Sequence, residues 1–187
     1  MAAFDRLNLK PPMPPMEARS VESLPADAGW QFEPKWDGFR CVVFRDGDEI
    51  MLQSKAERPL ERFFPEVAAA ARSLDSRSFV LDGELIIPIG GILSFDALQL
   101  RLHPAESRIR KLSAETPAQL MLFDCLEAED EVLVGRPLAE RRSALEAFHR
   151  TVRRDDILLS PCTVDREVAN GWLEEAGAAL DGVIAKR

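Results

Sequence analysis

The sequence lacks long hydrophobic runs. It has no stretch of about twenty apolar residues and no N-terminal apolar segment of the signal-peptide type. We therefore do not expect a membrane protein, and the expected location is the cytoplasm. Positively charged residues are also fewer than negatively charged ones: the 24 lysines and arginines and the 32 aspartates and glutamates give a net charge of -8. This balance excludes a broad basic surface that binds nucleic acid by phosphate neutralisation alone, although a local basic patch is compatible with it.

Cysteine and histidine are scarce as well. Cys41, Cys125 and Cys162 are far apart and lie in apolar segments, so we expect reduced residues rather than disulfides. His103 and His149 have no cysteine or histidine at the short spacings of a zinc site. Structural zinc is therefore not expected.

What remains is the composition of one soluble globular domain. The 187 residues are enough for a substantial core, and 46% of them are hydrophobic and 30% charged. Residues 1–17 are rich in proline and predict an extended lead-in along the surface. A plain lead-in strand is favoured there over a binding tail.

The segment EPKWDGFR at residues 33–40 surrounds one lysine with aromatic and charged side chains. Lys35 is a candidate nucleophile, but a lysine amine has an ordinary pKa of about 10.4 and is protonated at neutral pH. Trp36 and Phe39 would desolvate it, and Arg40 would place a positive charge nearby. Both effects lower a lysine pKa and favour the reactive free base.

Three later segments place carboxylates among apolar residues: FVLDGEL at residues 79–85, LFD at residues 122–124 and DGVIAK at residues 181–186. Asp82 and Glu84 are one residue apart on a predicted strand, so their carboxylates point to the same side. If that side faces inward, the pair needs cations. The alternative is a pair at a solvent-exposed strand edge.

Together the four segments resemble the motifs of the covalent nucleotidyltransferases: DNA ligases, RNA ligases and mRNA capping enzymes. Lys-x-Asp-Gly-x-Arg at residues 35–40 is similar to the nucleotide-attachment motif of that family, and the other segments follow in its order and approximate spacing. The amino-acid sequences of residues 33–40 and of FFPE at residues 63–66 resemble those of bacterial ATP-dependent DNA ligases of the end-joining type. The resemblance covers nearly the whole chain.

The resemblance implies a reaction. Lys35 would attack the α-phosphate of ATP, release pyrophosphate and keep AMP on its side-chain nitrogen, with Mg²⁺ or Mn²⁺ shielding the phosphate charge. In a complete ligase the AMP then moves to a 5′-phosphate at a DNA nick and the 3′-hydroxyl displaces it. Nicked or broken DNA is the implied partner, end-joining repair proteins are further candidates, and a monomer is expected.

The resemblance also implies nucleotide-binding roles. Glu33 would lie near the adenine amino group, Arg40 near the ribose and Lys186 near the phosphate. Phe123 would stack on the base, although a phenylalanine of the core would look the same in a sequence.

For the acidic residues, the resemblance implies supporting and metal-binding roles. Glu84 would act near the ribose or a metal, Asp181 would help to hold the metal, and Asp82 and Asp37 would support the site. Gly38 would let the backbone approach a ligand closely. The family usually has glutamate at the position of Asp181, so the reach to a metal is shorter by one methylene.

Some basic residues have two interpretations. Lys55 stands where many ligases use an arginine near the nucleotide or DNA, but a solvated turn is the alternative, and lysine lacks the planar fork of arginine. The basic residues at 101–111 are a candidate phosphate-contacting surface or an exposed loop. In a predicted amphipathic helix at residues 136–149, Arg141 and Arg142 are expected to be exposed.

The pattern of strands and helices predicts an α+β fold, and the resemblance makes it the adenylation (nucleotidyltransferase) domain of a DNA ligase. Antiparallel β-sheets would be flanked by helices, with the nucleotide between the sheets. Trp30 begins a predicted strand that delivers the chain to Lys35, and residues 39–45 and 49–54 predict a hairpin. The other predicted helices are at residues 65–74, 94–99 and 165–180, and the other strands at residues 79–88, 118–126, 157–163 and 181–186.

Family members continue into a further lysine-bearing phosphate motif and a small β-barrel. We expect residues 1–187 to form one adenylation domain, with that motif and the C-terminal OB-fold domain absent. Such a chain would bind ATP but seal nicks weakly or not at all. The alternatives are a GTP-dependent capping-type enzyme or an RNA-ligase nucleotidyltransferase, and a shortened nucleotide-binding module without full ligation activity.

Overall fold

The structure is a computed structural model of the chain, and it describes residues 3–174, 176 and 180–187. Helices flank sheets that are mostly antiparallel, which confirms the predicted α+β fold. In chain order the elements are β1 (Gln31–Trp36), β2 (Phe39–Asp46), β3 (Glu49–Ser54), α1 (Pro65–Arg72), β4 (Ser78–Ile86), β5 (Pro88–Ile89), β6 (Ile92–Leu93), α2 (Phe95–Arg101), α3 (Glu106–Glu115), β7 (Gln119–Ala128), β8 (Glu131–Val132), α4 (Leu138–Thr151), β9 (Ile157–Leu159), α5 (Arg166–Glu174) and β10 (Leu180–Lys186).

The large sheet has the strand order β3-β2-β4-β7-β8, and β9 pairs with β7 in parallel. The predicted hairpin is confirmed, because Asp46 pairs with Glu49 across a turn in which Gly47 has a φ of +64°. Glycine adopts this left-handed conformation without the steric cost that a Cβ atom imposes. The sheet is therefore built on the hairpin that directly follows the lysine segment.

The two faces of the large sheet bury different partners. On β2, Cys41 and Val43 belong to the main core with residues of α1, α2 and α4, while Val42 and Phe44 pack on the other face with Leu7. This alternation is the period of two expected for a strand with both faces covered. The helices thus cover one face, and the N-terminal segment covers part of the other.

The proline-rich lead-in, favoured from the sequence as a plain strand, forms no strand within its described residues 3–17, and residues 3–12 consist largely of turns and bends. Buried polar side chains hold its backbone instead. The Glu127 carboxylate accepts hydrogen bonds from the backbone N–H groups of Asn8, at 2.8 Å, and Leu9, at 2.7 Å. The backbone N–H of Met13 donates to Oε1 of Gln53 at 2.9 Å. The segment is fixed to the sheet rather than loosely attached.

The first and last strands form a separate small sheet. β1 pairs antiparallel with β10, and α5 packs against it through a cluster that includes Phe32 and Ala169. Asp165 caps α5 by accepting a hydrogen bond from the N–H of Glu167 at 2.9 Å, as predicted. Residues 31–36 are thereby joined to residues 180–186, and Lys35 on β1 pairs with Gly182 on β10.

Some predictions about helices were wrong. α5 ends at Glu174, Leu173 is exposed rather than turned inward, and Ala176 is exposed in a turn. Residues 175 and 177–179 of the predicted helix lie outside the described residues, and Leu180 begins a strand.

The basic run at residues 101–111 is neither one loop nor one surface. Arg101 ends α2, is completely buried and donates hydrogen bonds to the carbonyls of Phe63 and Thr116 and to Glu66, while α3 begins at Glu106. Arg101 is thus part of the scaffold and not of a phosphate-contacting surface. A buried arginine that links three segments satisfies backbone carbonyls that would otherwise lack partners.

Candidate active site

A cavity of about 850 Å³ lies between the small sheet and the large sheet. All the predicted site residues line it, although they come from separate parts of the sequence. The small sheet and its edge contribute one set, and the large sheet contributes another. The first set is Glu33, Lys35, Asp37, Gly38, Asp181 and Lys186, and the second is Arg40, Lys55, Asp82, Glu84 and Phe123.

Lys35 is paired with a carboxylate across the small sheet. Its Nζ forms an ion pair with Oδ2 of Asp181, and its side chain is 46% exposed. The expected desolvation of the Lys35 amine by Trp36 and Phe39 is wrong, because both side chains make other contacts. Phe39 packs edge-to-face against Phe64 and Phe95, and the indole N–H of Trp36 donates to Ser160 Oγ at 3.0 Å. The environment of the amine is therefore polar and open to a ligand from the cavity.

Glu33 and Lys186 form a second ion pair between the same two strands. Nζ of Lys186 lies 2.7 Å from Oε2 of Glu33, whose side chain is only 2% exposed. The amide of Gln31 donates to the other carboxylate oxygen at 2.7 Å. Lys186 Nζ also lies 4.8 Å from the centroid of the Phe123 ring. The pair thus ties the small sheet to an aromatic ring of the large sheet.

Phe123 owes its position to an irregularity in β7. Asp82 pairs with Asp124 and Gly83 pairs with Leu122, so Phe123 is an extra residue without a partner on β4. Such a β-bulge redirects side chains at the site where it occurs. The Phe123 ring faces the cavity, with the guanidinium carbon of Arg40 4.7 Å from its centroid.

Arg40 is held by a bidentate ion pair. Its Nε and Nη2 each lie 2.6 Å from an oxygen of Asp82, and Nη2 also donates to the carbonyl of Met16 at 3.2 Å. Burial acts to lower the pKa of Arg40, but Asp82 outweighs it and holds that pKa above its ordinary value. Asp82 is buried, so the inward orientation predicted for the carboxylates holds and the edge-strand alternative is wrong.

Other carboxylates in the cavity retain protons more strongly than in water. Burial raises the pKa of Glu84 to about 8, although Arg40 and Lys35 act in the opposite direction. The pKa of Asp37 is also raised, first by burial and then by the charge of Asp181. The site therefore carries less negative charge at neutral pH than its composition indicates. A cationic ligand would favour the ionised carboxylates and so restore the negative charge.

Gly38 is required by the packing of the site. A Cβ atom there would lie 2.7 Å from Cγ of Glu84 and closer still to the carbonyl oxygen of Leu85. The close approach is thus to strand β4, whereas the sequence suggested an approach to a ligand. Glycine lets the lysine segment lie directly on the strand that carries Asp82 and Glu84.

Lys55 lies at the edge of the cavity, beside the lead-in. Its Nζ is 3.1 Å from Oε2 of Glu17, and both side chains are largely exposed. Residues 13–18 line the same side of the cavity. The sequence favoured a plain lead-in strand over a binding tail, whereas the end of the lead-in forms part of the cavity wall.

A family model described as an ATP dependent DNA ligase domain matches residues 15–187. The chain belongs to the ATP-dependent DNA ligase family. DNA ligase C of Mycobacterium tuberculosis is 48% identical to this ligase domain over 97% of the chain and 51% of the relative. DNA ligase C1 of Mycolicibacterium smegmatis is 42% identical over 97% of the chain and 53% of the relative.

Solved structures agree on the fold of the ligase domain. Mycobacterial DNA ligase D complexed with ATP and MES is 25% identical, with a TM-score of 0.64, over 84% of this chain and 48% of that chain. A structure of Lig E DNA ligase, at 16% identity and a TM-score of 0.56, shares the fold. The chain spans about half the length of these curated relatives and about half of these solved chains.

The ligase domain has no ready-made metal cage in its described residues. No group of three or more histidine, cysteine, aspartate or glutamate side chains is arranged there to hold an ion. Mg²⁺ is commonly bound through one or two carboxylates together with substrate phosphates. Glu84 and Asp181 both line the cavity, so the oxygen donors suit a metal that arrives with a nucleotide.

Sequence reasoning missed one buried residue at the edge of the ligase site. Arg141 was expected on the exposed face of its helix, but its side chain is only 11% exposed and is ion-paired with Asp124. The helical pattern contained the signal, because Leu138, Arg141, Leu145 and Phe148 follow each other at intervals of three and four residues. Such residues share one helix face, and that face packs on the sheet. Arg142, also predicted to be exposed, is 10% exposed and paired with Glu146.

Proposed function

We propose that this chain is the adenylation domain of a DNA ligase and that Lys35 becomes covalently joined to AMP. Family membership supports the use of ATP. The observation that carries the residue-level proposal is that segments from four parts of the sequence line one cavity, with Lys35 at the junction of the two sheets. A cavity of about 850 Å³ falls in the range of about 300–1,000 Å³ typical of small-molecule sites.

The walls of the cavity suit the parts of ATP. Phe123 offers an aromatic ring on which a base stacks, and Glu33 offers a carboxylate that accepts hydrogen bonds from an exocyclic amine. Arg40 and Glu84 occupy neighbouring positions on paired strands, β2 and β4, where they bind the ribose. Lys186 supplies a positive charge toward the phosphates and leaves its pairing with Glu33 as it does so.

The chemical step is a displacement at phosphorus. The Nζ lone pair of Lys35 forms a bond to the α-phosphorus of ATP, the bond from that phosphorus to the bridging oxygen breaks, and pyrophosphate leaves with the electron pair. The amine must first lose a proton, and Asp181 is the carboxylate in contact with it. Asp181 thus orients the nucleophile before reaction and is the nearest acceptor for that proton.

A divalent metal fits this site through the carboxylates of Glu84 and Asp181. When bound with ATP it supplies positive charge that offsets repulsion between the triphosphate and the acidic residues of the cavity. Of these residues, Glu84 holds a proton at neutral pH because its pKa is about 8, so its ionisation accompanies the arrival of cations.

The function of the whole protein is proposed by extension from the relatives named DNA ligase, of which this chain covers about half. AMP on Lys35 moves to the 5′-phosphate of a DNA break, and the 3′-hydroxyl then displaces it to seal the strand. End-joining repair proteins are proposed partners.

Among the residues that the structure describes, no helix is long and apolar enough to span a membrane.

The experiment is intact-mass spectrometry of the chain after incubation with ATP and Mg²⁺. The parent should gain the mass of one adenylyl group, and Lys35→Ala should gain none. Lys111→Ala is the matched control, because Lys111 also pairs with a carboxylate, Glu115, but lies on α3 away from the cavity. It should be adenylated like the parent.

Three other results of the mass-spectrometry experiment would contradict this proposal. An adduct that persists in Lys35→Ala would assign the nucleophile to another residue. No adduct on the parent would support a nucleotide-binding module instead. A stronger adduct with GTP than with ATP would support the capping-type alternative.

A further inference from the structure

A second, nearly buried arginine lines the cavity. Arg141 of α4 donates from Nε to Oδ1 of Asp124 at 2.9 Å and from Nη2 to Oδ2 at 3.1 Å. Its Nη1 donates to the carbonyl of Arg136 at 2.8 Å, which fixes the guanidinium plane. Both members of the pair are nearly buried, at 11% and 13% exposure, and both line the cavity.

The carboxylate that Arg141 neutralises faces another carboxylate. Asp124 on β7 is the direct partner of Asp82 on β4 in the antiparallel pairing. Like charges opposite one another on neighbouring strands destabilise a sheet. Here each aspartate has its own bidentate arginine, Arg141 for Asp124 and Arg40 for Asp82. The four side chains form a row with an arginine at each end and the two aspartates between them.

Arg40 is the member of this row that the nucleotide would meet. Arg40 is held over the Phe123 ring by Asp82 and by the carbonyl of Met16, and the charges of Glu84 and Asp124 also act on it. Without Arg141, Asp124 would carry an uncompensated buried charge next to the Asp82–Arg40 pair. Arg40 would then be attracted toward both carboxylates and away from the ring, because a buried charge without a partner is costly.

We propose that the Asp124–Arg141 ion pair is a positioning unit of the nucleotide site, which keeps Arg40 on Asp82 and over Phe123. Asp124 and Arg141 are positioning residues rather than catalytic ones, because their ion-pairing atoms contact each other and they act on the nucleotide through Arg40. The inference rests on the proposed function, since it assigns a second layer of side chains to the same ATP site. It also explains why a helix outside the four motifs places an arginine on its buried face.

The test measures ATP binding and AMP transfer separately on the 187-residue chain. Isothermal titration calorimetry gives the Kd for ATP, and single-turnover mass spectrometry with Mg²⁺ gives the rate of adenylation at saturating ATP. We expect Arg141→Met to raise the Kd roughly tenfold, an effect of the size found for coupling through contact networks. The saturating rate should change by less than about threefold, because the interaction removed contributes to binding in the ground state and transition state alike.

Two further variants separate positioning from folding. Arg141→Met combined with Asp124→Asn removes the unpaired charge and should restore the Kd to within about threefold of the parent. Arg142→Met is the matched control, because Arg142 is the next residue of the same helix, is equally buried and binds Glu146 and the carbonyl of Ser160. It should lower the urea midpoint without changing the Kd.

The remaining outcomes overturn the inference. A parent-like Kd in Arg141→Met would overturn it while leaving the proposed function intact. Weak binding in the double variant, or an equal loss in Arg142→Met, would show a general structural effect and would overturn it as well. A parent chain that binds no ATP would overturn both the inference and the proposed function.

Discussion

The Glu33–Lys186 ion pair gives a prediction about the stability of the site. Replacing Lys186 by methionine keeps most of the side-chain volume but leaves the Glu33 carboxylate, 2% exposed, with the amide of Gln31 as its remaining side-chain partner. Removing one partner of a buried pair costs about 3–5 kcal/mol. Because Lys186 is 20% exposed, we expect the lower end, about 3 kcal/mol. For a chain of this size that lowers the Tm by about 6–12 °C.

Urea unfolding, followed by tryptophan fluorescence and far-UV circular dichroism, measures the free energy of unfolding. The parent is compared with Lys186→Met, with Glu33→Gln and with the double variant. Glu33→Gln should cost less than Lys186→Met, because the lysine left behind is long and reaches solvent. The double variant should recover to within about 1 kcal/mol of the parent, since no buried charge is then unpaired.

A loss of less than about 1 kcal/mol in Lys186→Met would refute this reasoning, because that is the range of an exposed ion pair. Additive losses in the double variant would also refute it, since two residues in direct contact must be coupled if the pair is energetically important. In that case the two strands of the small sheet would be joined by backbone pairing and packing rather than by this contact.

Two further predictions concern the strand that carries the paired carboxylates. Burial holds the pKa of Glu84 at about 8 in the folded chain, against 4.5 ordinarily, so the folded state keeps a proton that the unfolded state releases. Stability should therefore decrease as pH rises from about 5 to 8, and Glu84→Gln should remove about 3–5 kcal/mol of that decrease. An equal difference between parent and variant at both pH values in urea titrations would contradict this. Gly38→Ala should destabilise the chain by about 1–3 kcal/mol through contact with β4. The control, Gly135→Ala, has nothing within 4 Å of the added Cβ and should change the urea midpoint little, and equal effects would contradict the packing argument.

The local parts of this protein were determined by the sequence alone. The hairpin follows from two β-prone runs around Asp-Gly-Asp, and the start of α2 from Ser94, which accepts a hydrogen bond from the N–H of Ala97 at 3.2 Å. Such features depend on neighbouring residues, so their signals lie within a few positions of each other. The candidate site residues were also named from the sequence, because their segments resemble the motifs of a family.

Only the tertiary structure decided which side chains meet. Lys35 pairs with Asp181, Glu33 with Lys186 and Asp124 with Arg141, and each pair joins segments that folding brings together. Composition and periodicity show which residues are charged but not where opposite charges become neighbours. The bulge at Phe123 is of the same kind, because an unpaired residue exists only relative to the strand it lies beside.

The errors have the same physical cause. Arg101, Arg141 and Arg142 were treated as exposed because arginine is rarely buried without a partner. Each is nearly or fully buried in the structure, because a carboxylate and one or more backbone carbonyls satisfy its guanidinium. The sequence determined the charges, the strands and the order of the motifs. The tertiary structure alone decided which charges could be buried, because burial depends on which partners folding brings into contact.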